Sequence, residues 1–79
     1  MKSLRTREHQ ILIAGLKEAR LQAGLTQAAL AERLGTVQSF VAKSETGERR
    51  MDVVEFARWA EATTGVEAFC KILTTMIEP

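Results

Sequence analysis

The sequence contains one cysteine, one histidine and one proline, and each scarcity removes a class of protein. Cys70 alone cannot build a disulfide framework. His9 is the only histidine, so no Cys/His cluster has metal-ligand spacing, and no metal or other cofactor is expected. With no clustered carboxylates either, no catalytic constellation can be assembled, and an enzyme is not expected. The only proline is Pro79; no low-complexity segment or internal repeat is present, and nothing alternates as strands would. No apolar run approaches membrane-spanning length and no signal peptide is visible. A lone thiol in that setting points to a reducing, cytoplasmic location.

What is present is 79 residues, enough for a single domain over 1–79. A chain this short buries a modest core and often relies on a metal, disulfides or a partner chain. With the first two excluded, a second chain is the remaining extra source of stability. The net charge is only +1, but it is unevenly spread. Residues 1–51 hold nine Lys/Arg against five Asp/Glu, and residues 52–79 hold two against five. The basic part can face a polyanion while the acidic part faces away, although ordinary surface scatter would look the same.

Apolar residues recur at helical spacing, and the pattern predicts five short helices in an all-α, compact domain. Residues 1–6 are expected to be a loose N-terminus. A first helix from about Arg7 to Ala23 places Leu12, Leu16, Ala19 and Ala23 on one face, with Gly24 after its end. Thr26 is placed to cap a second helix, Gln27 to Leu34, whose inner face offers Leu30, Ala31 and Leu34. A third covers Gln38 to Glu45, between Gly35 and Gly47. Asp52 with Glu55 reads as the capping box of a fourth helix, to about Thr63. Its apolar members are Phe56, Ala57, Trp59 and Ala60. After Gly65 a fifth helix, Val66 to Ile77, carries Val66, Phe69, Cys70, Ile72, Leu73, Met76 and Ile77.

The second helix, Gly35 and the third helix make a helix–turn–helix candidate over residues 26–45. Ala31 is small enough to let the two helices cross closely, and Gly35 tolerates the positive φ of a sharp reversal. On a wheel of roughly 100° per residue, Val41 and Ser44 point inward while Ser39 and Lys43 point outward. Gln38 lies at the N-terminal end, where a recognition helix in the major groove meets base edges. Phe40 falls on the flank.

GLTQAALAERLGTVQSFVAKSETGERR, Gly24 to Arg50, resembles the helix–turn–helix of the Cro and lambda-repressor family. The marks are LTQ at Leu25–Gln27, LA at Leu30–Ala31, LG at Leu34–Gly35, QS at Gln38–Ser39, Glu45 followed by Gly47, and Arg20 four residues before Gly24. The likeness covers about Leu16 to Phe56. It implies a five-helix, lambda-repressor-like fold in a bacterial or phage-type, nucleoid-associated regulator that binds double-stranded operator DNA as a homodimer. Residue by residue, it implies phosphate contacts from Gln27, Arg49 and Arg50. Base or nearby phosphate contacts are implied for Gln38, Ser39 and Lys43, and an ion pair for Arg20 and Glu45. The sequence departs from the family at Thr36–Val37, where an aliphatic residue and then Ser or Thr is usual, so the cap of the third helix falls to Thr36 or Val37. Ser44 stands in a usually aliphatic slot, and Thr63–Thr64–Gly65 replaces a leucine–glycine ending.

Several of these residues also have ordinary roles. Gln38 can grip an adenine edge or stay a solvated first-turn residue, and Lys43 can reach a guanine or a phosphate. Phe40 can pack on a thymine methyl as a base contact or tuck inward beside Val37. Trp59 and Cys70 read as core, and His9 as surface. The last helix is apolar over a broad arc, which calls for a second burial surface. Phe69, Ile72, Leu73 and Met76 are the expected dimer interface, against the alternative that the helix covers only its own core. A protein-binding reading stands beside the regulator: the antitoxin of a toxin–antitoxin pair, with a toxin as partner; a restriction–modification controller of similar size is a further alternative.

Overall fold

The structure, a computed structural model, describes residues 6–78 and is built of five helices with no strand among them. They are α1 (Arg7–Gln22), α2 (Gln27–Leu34), α3 (Gln38–Thr46), α4 (Val53–Ala62) and α5 (Val66–Ile77). The loose N-terminus expected over 1–6 lies outside the described residues except for Thr6, which is the N-cap of α1 and accepts the His9 N–H at 3.1 Å. Thr26 does the same for α2, accepting the Ala29 N–H at 3.0 Å. Asp52 and Glu55 form the reciprocal capping box of α4. At α3 the N-cap is Val37, in extended geometry, and it makes no side-chain cap bond. Gly35 ends α2 with φ of 72°, where a side chain would be strained.

The core is made where the inner faces of all five helices meet: Leu16, Leu30, Val41, Phe56, Trp59 and Ile72 are buried together. Each such side chain contributes on the order of 1.5–3 kcal/mol on leaving water. Trp59 is buried because its one polar atom is satisfied: Nε1 donates to the Leu16 carbonyl at 3.1 Å. Ala31 of α2 is buried in the core cluster, where a larger residue would overpack. Ser44, in a slot that suits an aliphatic side chain, is buried as well. Its hydroxyl donates to the Phe40 carbonyl one turn back at 2.8 Å, so it enters the core without an unmet polar group.

α5 packs on α1 and α4. At Gly15 the approach is tight, because an added Cβ would collide with Ile72 Cγ1. Arg7 ties the two ends together by donating to the α5 carbonyls of Met76 at 3.2 Å and Thr75 at 3.4 Å, and to Glu78 at 3.0 Å. A cation on the unpaired carbonyls of a helix C-terminus also meets the negative end of its dipole. Two single-residue expectations are corrected here. Cys70 is exposed, because it sits on the opposite side of α5 from buried Ala68 and Ile72. His9 is half-buried: its Nε2 lies near Gly47 beyond α3, buried and with no hydrogen-bond partner among the described residues.

Candidate nucleic-acid interface

The two inward residues of α3, Val41 and Ser44, pin the helix to the scaffold and so set its outer face. Gln38, Ser39 and Lys43 are all exposed on that face. Gln38 does not hang free. Its Nε2 donates to Gln27 Oε1 at 3.1 Å, across the turn at the start of α2. Gln27 Nε2 in turn donates to Glu45 Oε1 at 3.2 Å. Glu45 receives the Arg20 guanidinium from below, Nε at 2.6 Å and Nη2 at 3.1 Å. The remaining arm of Arg20 donates to the Leu25 carbonyl at 2.9 Å, in the link between α1 and α2.

A relay therefore runs from the centre of the domain to its surface, Arg20 to Glu45 to Gln27 to Gln38. Its lower half is buried, with side-chain exposures of 9% for Arg20 and 4% for Glu45. Two charges taken out of water this far hold together only if nearly every donor and acceptor is met, and here the fork is bidentate and its spare arm is satisfied. The consequence for the surface is orientation. An amide fixed by hydrogen bonds arrives at a ligand without losing rotamer freedom on binding.

The loop after α3 is built differently from a simple basic rim. Arg50 is exposed, but Arg49 is turned onto the protein. Its two terminal nitrogens donate to Glu55 at 3.0 and 3.2 Å. Its guanidinium lies 4.6 Å over the ring of Phe40. Phe40 is half-buried, packs on the core and lies 6.4 Å from Trp59 between ring centroids. Arg49, and then the Asp52 N–H, hold the Glu55 carboxyl below its ordinary value of 4.5. Sequence reading saw Glu55 only as a cap and missed its bond to Arg49. A polar contact made across a loop leaves no periodic signal.

Of the four residues expected at a dimer interface, Ile72 is only 5% exposed and is buried in the domain's own core. Phe69 and Met76 are half-buried against that core, and Leu73 is half-buried. The apolar surface that α4 and α5 do leave outside is carried by Val53, Val54, Val66 and Ile77, the last two 73% and 77% exposed. Beside the valines, and away from Ile77, runs a groove of about 680 Å³ lined by Val53, Val54, Ala57, Val66 and Phe69, with Arg58 and Glu61 also on its wall.

Residues 12–75 match the protein family described as a helix-turn-helix domain, which spans α2, the Gly35 turn and α3 together with the helices that carry them. The chain belongs to that family, consistent with the Cro and lambda-repressor resemblance. No curated protein matches it. Among the described residues, no helix is long and apolar enough to cross a membrane.

Proposed function

We propose that this protein is a sequence-specific transcriptional regulator that binds a two-fold symmetric operator as a homodimer, with α3 in the major groove of each half-site. The observation that carries the reading is the braced Gln38: an exposed amide at the first turn of α3, held by Gln27 at 3.1 Å. A pair of glutamines so placed suits bidentate contact with an adenine edge and a backbone contact beside it. Ser39 and Lys43 complete the reading face, and Gln27 and Arg50 meet the phosphates. Phe40 is assigned to bracing the flank of α3, since it already packs toward Trp59 beneath Arg49. A two-fold dimer would set the half-sites one helical turn apart, roughly 34–36 Å.

The exposed Val53, Val54, Val66 and Ile77 of α4 and α5 support the homodimer, because large apolar side chains left in water on so small a domain are stabilised by being covered. The same face would serve a toxin in the antitoxin reading. Selection from a random DNA pool with the purified chain tests the proposal. Enrichment of an inverted repeat with half-sites about one turn apart is the expected result, and a pool with no enriched sequence would overturn it. Native mass of the chain alone separates the partners, a dimer supporting self-association and a monomer favouring the heterologous partner.

A further inference from the structure

Glu55 receives the Asp52 N–H at 3.1 Å to close the cap of α4, and the same carboxylate takes both terminal nitrogens of Arg49. A guanidinium forked onto a carboxylate has the geometry it would adopt on a phosphate, so the two anions compete for the same donors. The place is right for that competition. Arg49 lies over Phe40, the residue next to exposed Ser39 on α3, and so borders the reading face. The pair is also open to exchange: its side chains keep 37% and 31% of their exposure, and water at such a pair weakens the attraction.

Building on the DNA-binding reading above, we propose that Glu55 is a brake on DNA affinity: it withholds the Arg49 guanidinium from the phosphate backbone. Glu55 itself touches no DNA and acts through Arg49, which makes it a positioning residue. Arg49 is thus a latent phosphate-binding cation beside the reading face. Non-specific binding is kept weak while Gln38, Ser39 and Lys43 retain their sequence preference. Specificity depends on the ratio of specific to non-specific affinity, so holding back a purely electrostatic contact favours discrimination.

The test compares the parent with Glu55→Gln, Arg49→Ala and the double variant, on one fixed non-cognate duplex, by fluorescence anisotropy across a salt series. Glu55→Gln keeps an oxygen able to accept the Asp52 N–H, and its melting temperature checks that the fold survives. It is expected to bind more tightly than the parent at low salt, with a log–log salt slope steeper by about 0.9, the signature of one more phosphate contact. Over a rise from about 50 to about 200 mM salt, its advantage should then shrink by about 3.5-fold. Arg49→Ala should keep the parent's slope, and adding Glu55→Gln to it should change nothing. Glu55→Asp keeps the charge but shortens the reach, and should fall between the parent and Glu55→Gln. Parallel slopes for the parent and Glu55→Gln would overturn the proposal. A gain that persists without Arg49 would overturn it too, by showing a general charge effect. A parent that binds no duplex at all sinks the DNA-binding reading as well, whereas a parent that binds with its slope unmoved by Glu55→Gln sinks only the brake.

Discussion

Glu45 is the acceptor on which the reading face depends, because it takes Arg20 from below and Gln27 from above. Removing Arg20 would strand a carboxylate that is almost wholly out of water. Arg20→Ala is therefore expected to lower stability by about 3–5 kcal/mol, measured by urea denaturation. A loss under 1 kcal/mol would mean that Glu45 finds water once its partner is gone. The far end of the relay behaves differently. Gln38 is exposed, so Gln38→Ala should leave stability nearly unchanged while weakening operator binding by about 1–3 kcal/mol and relaxing preference at one base position. Equal affinity of the parent and Gln38→Ala for the selected operator would remove it from the readers. The Arg20–Glu45 pairing was legible only through the family likeness, since the residues are 25 apart in sequence and no local pattern joins them.

Among the elements, α3 and α5 start without a side-chain cap bond, because Val37 and Gly65 stand at their N-caps. Thr6, Thr26 and Asp52 show what the other starts gain. Val37→Ser should supply the missing acceptor for a first-turn N–H and raise stability by about 1 kcal/mol, read as a shift in the denaturation midpoint. Val37 is well exposed, so little packing is lost in the exchange. No gain would show that the first-turn N–H groups of α3 are already satisfied by water. At the α1–α5 contact the balance runs the other way. Gly15→Ala improves helix propensity by about 1 kcal/mol, but its methyl would overlap Ile72 Cγ1. Overpacking of this kind destabilises by about 1–3 kcal/mol, so a net loss is expected in thermal unfolding. Helix ends were legible because caps and glycines are local signals. The expected boundaries differ by a residue at α1, α3 and α4, and at α4 the end is marked by a local bond, Thr63 Oγ1 donating to the Trp59 carbonyl one turn back at 2.7 Å.

At the scale of the whole molecule, the exposed valines and Ile77 on α4 and α5 bear on assembly. Because Val66 and Ile77 contribute little to the core, replacing both by Glu should leave the melting temperature of the monomer close to the parent's. It should shift sedimentation from dimer to monomer and weaken operator binding; an unchanged dimer would place the interface elsewhere. The sequence by itself determined five helices, their order, the turn at Gly35 and the outward set Gln38, Ser39 and Lys43. Those follow from periodicity, capping and backbone preference within a few residues. It also showed that α5 is apolar over a broad arc, because a helical wheel reveals which residues share a face. Only the tertiary structure decided which part of that arc faces inward: α1 offers Gly15 to Ile72, so Ile72 is buried while Val66, Cys70 and Ile77 remain outside. It likewise decided that Arg49 rests on Glu55 and Phe40, a choice among charged partners that depends on how α3, its loop and α4 come together in space.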